Sequence, residues 1–362
     1  MGFVAPRYSL LVTRYYNRTT MQTYRYILTG LGNIGRNFLA IALEKEALLR
    51  DRHGIALRAV GLADSSGALY DPAGFALADV IALKDARRGI APLATPERPL
   101  ISARELVERA DAEFLLEATP TNLTDGQPGL DLVRIALQRG LHTVLASKGP
   151  LVLAYAELQS LATRSALAFS GAVCGELPTV NVGRRDLAGS EIRRVEALLN
   201  GTTQVILGLM AQGQTYEAGL AEAQRIGIAE PDPSLDVDGW DSANKLVIIA
   251  NAVLGHPATL ADLTVTGIRD VTADEARAAS ADGGRLALLA IADRRDDGTY
   301  ALSVQPTVLA ASHPLARLSM DEMGIVYHSD LYGQTAVTSA GPGPSGASAA
   351  MLRDIIEIVG RG

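Results

Sequence analysis

Short apolar runs and longer amphipathic stretches alternate along residues 24–153, and this pattern predicts strands and helices in turn. Four apolar runs have the length of buried strands, and they lie at 26–29, 56–63, 112–120 and 142–146. The stretches that begin at Arg36 and that cover 129–139 are typical of helices. Alternation of this kind predicts an α/β domain with a parallel sheet, in which ligands bind beyond the carboxyl ends of the strands.

The pattern changes after about residue 154. Apolar runs now predict strands at 167–173, 193–199, 300–309 and 324–327, and amphipathic stretches predict helices at 203–212, 216–226 and 241–254. This mixture predicts an α+β domain. The final segment is a glycine-rich turn into a helix, which we expect to return to the first domain. The predicted domains are therefore 23–153 with 336–362, and 154–335.

The first apolar run leads directly into a dinucleotide fingerprint, because Gly30, Gly32 and Gly35 form G-x-G-x-x-G between a predicted strand and a predicted helix. The first glycine permits a tight turn, the second lets a pyrophosphate approach the backbone, and the third lets the helix pack against the strand. Asn33 and Ile34 open the helix, whose N-terminus attracts negative charge. We therefore expect a Rossmann-type domain that binds NAD or NADP.

Polar residues follow the other three strands of this domain, where a parallel sheet would bring them to one edge. The residues at these strand ends are Asp64, Ala118, Thr119, Pro120, Ser147 and Lys148. Asp64 is the candidate for the adenosine ribose hydroxyls, although it can equally cap the next turn. Because no Arg or Lys lies between Asp64 and Asp79, the sequence favours NAD over NADP without excluding NADP.

An acidic stretch in the second domain carries the other candidate chemistry. Five carboxylates fall between Glu230 and Asp241, and Lys245 follows one helical turn after the last of them. Like charges repel, so such a stretch is typical of a site for a cationic or zwitterionic ligand. The alternative is a solvated helix pair between Asp241 and Lys245. Lys245 can act as an acid or base near neutral pH only if its pKa falls, and Asp241 opposes that fall.

Composition narrows the class of protein. The chain has 362 residues, 48% hydrophobic and 20% charged, and a formal net charge of −7, which argues against nucleic acid as the main partner. No apolar run is long enough to span a membrane. A single cysteine, Cys174, suits a reducing cytoplasm. We expect residues 1–22 to be a disordered extension, of which 1–20 could also be an overlong start.

Seven motifs together resemble homoserine dehydrogenase, and the resemblance covers the chain from Tyr24 to the C-terminus. They are Gly30–Gly35, Glu117–Asn122, Ala146–Leu151, Ala172–Pro178, Asn200–Thr203, Glu230–Lys245 and Gly341–Gly346. The resemblance implies reversible hydride transfer between NAD(P) and the pair L-homoserine and L-aspartate 4-semialdehyde, in threonine and methionine biosynthesis. It also implies a short form without a kinase domain or a further C-terminal regulatory domain.

The resemblance assigns roles residue by residue. Lys245 matches the proposed acid/base, and Lys148 matches a second lysine near the nicotinamide and the substrate hydroxyl. Asp241 matches a substrate-binding carboxylate, and we group it with these two lysines as catalytic. The residues that would bind substrate are Glu230, Asp236, Asn200, Gly201, Thr202 and Thr203. Gly346 joins the residues that would contact the cofactor. The substrate is then a small amino acid, whose ammonium Glu230 can bind.

Two further expectations come from the resemblance. Members of the family bind a monovalent cation through backbone carbonyls, which here would be those of Val173 and Gly175. That site is in doubt, because Ser170 replaces a usual glutamate and Glu176 a usual glycine. The family also implies a homodimer, which we expect to form through the strands around 167–173 and 311–335.

Two other functions stay open from the sequence. An aspartate-semialdehyde dehydrogenase would need a cysteine nucleophile, and Cys174 is the only candidate, in an apolar stretch without a neighbouring histidine. A nucleotide-sensing module without catalysis would leave the stretch from Glu230 to Lys245 unexplained.

Overall fold

The computed structural model describes residues 21–341 and 345–361, so the predicted extension lies almost entirely outside the described residues. The first domain contains a six-stranded sheet in the order β3-β2-β1-β4-β5-β6. Its strands are β1 Gln22–Thr29, β2 Ile55–Asp64, β3 Gly67–Tyr70, β4 Phe114–Glu117, β5 His142–Leu145 and β6 Leu167–Ala168. All neighbours are parallel except β3, which returns antiparallel to β2.

Helices pack against both faces of this sheet. They are α1 Asn33–Glu44, α2 Glu46–Leu48, α3 Leu77–Asp85, α4 Ala103–Arg109, α5 Gly129–Arg139 and α6 Gly149–Leu161. The C-terminal helix α13, Gly346–Arg361, packs beside α1, where the Ser348 hydroxyl donates to the Ile34 carbonyl at 2.8 Å. The C-terminal helix therefore packs against the first helix of the chain.

The strand order places the predicted ligand edge between β1 and β4. In this order β2 lies on one side of β1 and β4 on the other, so the direction of the chain connections reverses at β1. A crevice opens at the carboxyl ends of the strands where this reversal occurs. Buried apolar side chains such as Ile27, Leu115 and Val144 anchor the strands below this edge. The α/β fold and its parallel sheet are confirmed.

The second domain contains another six-stranded sheet, in the order β12-β11-β7-β9-β10-β8. Its strands are β7 Ile192–Leu198, β8 Leu263–Val265, β9 Arg285–Arg294, β10 Tyr300–Leu309, β11 Glu322–Ser329 and β12 Gly333–Ala340. The remaining helices are α7 Thr179–Asn181, α8 Gly201–Ala211, α9 Tyr216–Arg225, α10 Ser234–Val237, α11 Trp240–Ala252 and α12 Ala273–Ala279. Of these, α8, α11 and α12 pack on β9, so they bury one face of the sheet.

The predicted strand 167–173 does not run through the second domain. Only Leu167–Ala168 is a strand, and it pairs with β5 at the edge of the first sheet. Residues Ser170–Ala172 form a 3₁₀ turn instead. At the other end, β12 continues the second sheet to Ala340, beyond the predicted boundary at 335. Sheet membership depends on these pairings, which the local pattern does not encode.

Among residues 21–341 and 345–361, no helix is long and apolar enough to cross a membrane.

Candidate active site

A cavity of about 770 Å³ opens at the carboxyl ends of β1, β2, β4 and β5. Its wall contains most of the predicted cofactor residues: Gly30, Gly32, Asn33, Ile34, Asp64, Ala118, Thr119, Pro120, Ser147 and Lys148. Glu230 reaches the same wall from the second domain. Small-molecule and cofactor sites commonly occupy cavities of about 300–1,000 Å³. The sheet edge therefore assembles one site from segments far apart in sequence.

The glycine turn is shaped by backbone contacts. Gly30 has a φ of 85°, and a Cβ there would overlap the Ala118 carbonyl of the neighbouring strand. A Cβ on Gly35 would overlap the Gly30 carbonyl. Gly32 instead has nothing within 4 Å of its Cβ position and stands at the start of α1. Two glycines thus allow the chain to pack, while Gly32 leaves open space where a pyrophosphate can approach.

Asp64 caps the next turn and also lines the cavity, where its assignment to the ribose stays a prediction. Its Oδ1 accepts from the Ser66 N–H at 2.8 Å and from the Ser66 hydroxyl at 2.6 Å, which caps the turn, while the residue also lines the cavity. Its Oδ2 accepts from Lys84 Nζ at 2.7 Å. Lys84 lines the same cavity from α3. A cation therefore lies beside the Asp64 carboxylate, although the sequence between Asp64 and Asp79 contains none.

Glu117 fixes the ends of β4 and β5 beneath the cavity. The fully buried carboxylate accepts hydrogen bonds from the Thr119 N–H at 2.8 Å, from the Thr119 hydroxyl and from the Ser147 hydroxyl. Burial raises the pKa of Glu117, and these donors oppose that rise. The sequence reasoning did not assign Glu117 a role, yet it holds two of the predicted cofactor residues in place.

A cluster of opposite charges lies beside Lys148, where α8 and α11 meet. Asp241 Oδ2 accepts from Lys245 Nζ at 2.7 Å and from Asn200 Nδ2 at 3.0 Å, and Asp241 Oδ1 lies 3.5 Å from Lys148 Nζ. The side chains of Lys245 and Asp241 are only 12% and 15% exposed. The solvated helix pair considered from the sequence is therefore wrong, since Asp241 also joins lysines from both domains.

Asn200 connects this cluster to the acidic stretch. Its side chain caps α8 by accepting from the Thr203 N–H at 3.0 Å, and its Nδ2 also donates to Asp236 Oδ1 at 2.7 Å. Asp236 Oδ2 accepts from the Thr202 hydroxyl at 2.7 Å. Gly201 is the first residue of α8, next to these groups. The predicted segment Asn200–Thr203 thus lies against both Asp236 and Asp241.

The pKa shifts in the cluster follow from these contacts. Burial alone would raise the pKa of Asp241, but the positive charges of Lys245 and Lys148 outweigh it and lower the pKa. Burial alone would lower the pKa of Lys245, but the Asp241 carboxylate outweighs it and raises the pKa. The sequence left these effects in competition. In the structure, the attraction between Asp241 and Lys245 outweighs the effect of burial, so Lys245 stays an ammonium at neutral pH.

Two predicted site residues, Glu230 and Gly346, lie outside the charged cluster. Glu230 is exposed at the rim of the cavity. Gly346 begins α13, and a Cβ there would overlap the Glu176 carboxylate, so its place is set by packing against Glu176. Among the described residues, no group of three or more His, Cys, Asp or Glu side chains is arranged to hold a metal ion.

Cys174 is buried, and its Sγ donates to the Leu199 carbonyl at 3.3 Å. Lys245 Nζ donates to the same carbonyl at 2.6 Å. Burial raises the pKa of the Cys174 thiol, so the reactive thiolate is disfavoured. The sequence missed this proximity to Lys245, because the two residues are brought together only by the fold.

Comparisons with known proteins identify relatives of this chain. A family model described as homoserine dehydrogenase matches residues 178–356, and one described as glutamate/leucine/phenylalanine/valine dehydrogenase matches residues 8–127. The NAD(+)-dependent homoserine dehydrogenase of Pseudomonas canavaninivorans is 33% identical, over 93% of this chain and 97% of that protein. The homoserine dehydrogenase of Methanocaldococcus jannaschii is 32% identical, over 92% and 97%.

A solved structure extends the likeness to three dimensions. A hyperthermophilic archaeal homoserine dehydrogenase in complex with NADPH has a TM-score of 0.79 and 25% identity, and the match covers 94% of this chain and 99% of that one. Together with these relatives, the fold identifies the class of protein as an NAD(P)-dependent oxidoreductase that acts on a CH–OH group. The chain belongs to the homoserine dehydrogenase family.

Proposed function

We propose that this chain interconverts L-homoserine and L-aspartate 4-semialdehyde where the cavity at the sheet edge meets the Asp241–Lys245 cluster. The observation that carries this assignment is the contact between Lys148, at the end of β5, and Asp241, on α11. It joins the cofactor residues of the first domain to the charged residues of the second. A nucleotide-sensing module would have no use for two partly buried lysines at that junction.

The cavity fits an extended dinucleotide. The pyrophosphate would lie on the open backbone at Gly32 and the N-terminus of α1, and the adenosine ribose would approach Asp64. The nicotinamide end would then lie toward Ser147 and Lys148, at the opposite side of the same cavity. When bound there, the nicotinamide supplies or accepts the hydride.

The charged cluster is suited to the proton that accompanies the hydride. In the reductive direction, the aldehyde carbon gains a hydride, and the carbonyl oxygen gains a proton from the Lys245 ammonium or its neighbour Lys148. In the oxidative direction, the alcohol loses the hydride and the proton again. Asp241 raises the pKa of Lys245, so Lys245 carries a proton at neutral pH. Lys245 therefore acts first as a donor that stabilises a developing alkoxide. Asp241 holds that ammonium in place, and Asn200 holds Asp241 by donating to the same carboxylate oxygen.

Substrate recognition would use the rim of the same site. The exposed Glu230 carboxylate suits the amino acid's ammonium, while Thr202 and Asp236 form a polar wall nearby. Gly201 and Thr203 keep that wall in place at the start of α8. A zwitterionic substrate thus meets groups of both signs.

The alternative, an aspartate-semialdehyde dehydrogenase, would use Cys174 as its nucleophile. Burial disfavours the thiolate, and the thiol points to a backbone carbonyl. A Cys174→Ala variant should keep homoserine-dependent turnover. Its complete loss of turnover, with an unchanged melting temperature, would favour the nucleophile.

We propose a homodimer that forms through the second sheet, and a cytoplasmic location for the enzyme. One face of that sheet is buried by helices, while β12 exposes alternate residues and the turn after β11 exposes Leu331 and Tyr332. A second copy of the chain would cover this surface through the region 311–335. The other predicted segment, 167–173, lies at the edge of the first sheet. Light scattering that gives the mass of a monomer would contradict the dimer.

The experiment that tests the proposed function compares wild type with Lys245→Met in the reduction of NAD⁺ by L-homoserine. Wild type should reduce NAD⁺, and the variant should bind the cofactor but turn over little. Equal rates in the two proteins would show that the reaction does not use this lysine.

A further inference from the structure

The segment from Ser170 to Gly175 links β6 to α7 and carries the two carbonyls that would bind a monovalent cation in the family. Both carbonyls are engaged by donors of the protein itself. The Thr179 hydroxyl donates to the Val173 carbonyl at 3.0 Å. Arg353 Nη2, from α13, donates to the Gly175 carbonyl at 3.4 Å. Each carbonyl therefore already accepts from a donor of the protein, and the donor on the Gly175 carbonyl is itself a cation.

The guanidinium of Arg353 would meet any small cation that approached Gly175. An ion bound to that carbonyl would lie close to a second positive charge, and like charges at such a distance repel strongly where water is scarce. A guanidinium is also permanently charged and donates in fixed directions, so it can satisfy a carbonyl as a bound ion would.

The next residue of the same helix holds the other end of the segment. Asp354 is buried, and it accepts from the Ser170 N–H at 2.8 Å and from the Ser170 hydroxyl at 2.6 Å. Ser170 is the position where the family usually has a glutamate, so the carboxylate here comes from α13 instead. Consecutive residues of one helix, one anionic and one cationic, thus hold Ser170 and Gly175.

This segment reaches the charged cluster directly. Cys174, next to Gly175, has a φ of 51° and donates to the Leu199 carbonyl that Lys245 also uses. Gly175 itself packs so closely on Ala347 that a Cβ would overlap α13. A shift of the segment against α13 would therefore change the surroundings of the Lys245 ammonium.

We infer that Arg353 takes the place of the monovalent cation in this enzyme, so that its activity and stability do not depend on potassium or sodium. Together with Asp354, Arg353 acts as a positioning residue that holds the segment Ser170–Gly175 against α13. The effect on catalysis rests on the proposed function, whereas the effect on stability does not.

The test begins with wild type in potassium, sodium or choline chloride at matched ionic strength. Homoserine-dependent kcat and the melting temperature should be the same in all three salts. Stimulation by potassium or sodium over choline, or a higher melting temperature in either, would overturn the inference. A protein that shows no homoserine-dependent turnover in any salt would contradict the proposed function, while its melting temperatures would still test the cation.

Arg353→Gln then removes the charge. Groups that support a site typically contribute about 10- to 100-fold to activity. We expect kcat to fall by about that factor, the melting temperature to fall, and potassium, sodium or guanidinium to restore part of both. Arg353→Lys should retain most of the wild-type behaviour, and Arg185→Gln, at an exposed arginine paired with Asp186, is the matched control.

An Arg353→Gln protein with wild-type kcat and melting temperature would overturn the inference. The inference would also be overturned if kcat and melting temperature fell in Arg353→Gln, added cations restored neither, and Arg353→Lys showed the same losses. If Arg353→Gln fails to fold, the salt comparison on wild type and the Arg353→Lys variant still decide the question.

Discussion

The edge of the first sheet that carries the predicted cofactor residues, here called the cofactor edge, meets the charged cluster where Lys148 contacts Asp241. Close packing and neutral hydrogen bonds shape the cofactor edge, whereas ion pairs hold the charged cluster together. At the cofactor edge, Gly30 and Gly35 leave no room for a side chain, and neutral donors from Thr119 and Ser147 surround a single buried carboxylate. In the charged cluster, Asp241 lies between two lysines, which lower the pKa of Asp241, while Asp241 raises the pKa of Lys245.

The contrast separates two kinds of mutational effect. A substitution at the cofactor edge acts through shape, so it should alter cofactor binding and the packing of strand ends. A substitution in the cluster leaves a buried charge without its partner, so it should alter the chemical step. Kinetic constants for cofactor and substrate, measured beside melting temperature, distinguish these effects.

The largest expected effect is that of Lys245→Ala. The loss of a positioned proton donor typically lowers kcat by about 10²- to 10⁴-fold, and the lining of the cavity proposed for the cofactor does not include this residue. We expect that loss with little change in cofactor affinity, measured by steady-state kinetics and by quenching of protein fluorescence. Turnover within about tenfold of wild type would place the proton donor elsewhere.

Gly32→Ala tests the shape of the cofactor edge. Nothing lies within 4 Å of its Cβ position, so the variant should melt as wild type does, but the added methyl would meet the pyrophosphate. We expect the KM for NAD⁺ to rise by about tenfold or more. Gly30→Ala is the contrasting control, because its Cβ overlaps Ala118 and should lower the melting temperature as well. Equal affinity for NAD⁺ in Gly32→Ala and wild type would move the pyrophosphate away from this turn.

Lys84→Met tests which dinucleotide the edge prefers. Lys84 neutralises Asp64 and can reach a 2′-phosphate, so its removal should raise the KM for NADP⁺ by about tenfold relative to that for NAD⁺. Lys45→Met, at an exposed lysine outside the cavity, is the control. An unchanged ratio of the two KM values would limit Lys84 to holding Asp64.

Glu230→Gln should act on the substrate alone. The amide keeps the shape of the carboxylate but loses its charge, and the residue is exposed, so we expect a rise in the KM for homoserine of about three- to tenfold. The KM for NAD(P)⁺ should change less. If neither constant moves, Glu230 has no part in binding the ammonium.

A charged group away from the site should affect stability and leave kcat unchanged. Burial would raise the pKa of Glu196, but hydrogen bonds from Arg194, His313 and His328 lower it to about 2. A lowered pKa stabilises the fold above the ordinary value near 4.5, and this stabilisation is lost as the pH falls toward 2. Denaturant titrations of Glu196→Gln should show less loss of stability between these pH values than wild type does, by about 1–3 kcal/mol. The exposed Glu97→Gln is the control.

The sequence predicted those parts of the fold that local pattern determines. The helix expected at 129–139 is α5, and the strand expected at 300–309 is β10. By contrast, β9 has the sequence Arg-Leu-Ala-Leu-Leu-Ala-Ile-Ala-Asp-Arg, which is fully apolar in its centre and rich in helix-forming residues. A short apolar run of this kind does not distinguish a buried strand from a buried helix, so β9 was missed.

The site residues also divide into those that the local sequence pattern predicts and those that only the fold brings together. Gly30, Asp64 and Lys148 were predictable because parallel strands bring their carboxyl ends to one edge. Lys84 was missed because only the fold of α3 brings it to Asp64. The contact of Arg353 with Gly175 spans 178 positions, and no local signal announces it. The sign of the pKa shift at Lys245 likewise required the distance to Asp241.

The most direct test of the account is the initial rate at which the purified wild-type chain reduces NAD⁺ and NADP⁺ with L-homoserine, followed by nicotinamide absorbance. The account predicts a rate that saturates with L-homoserine, depends on the cofactor and is reversed when L-aspartate 4-semialdehyde and the reduced cofactor are supplied. The absence of L-homoserine-dependent reduction with either cofactor would contradict it.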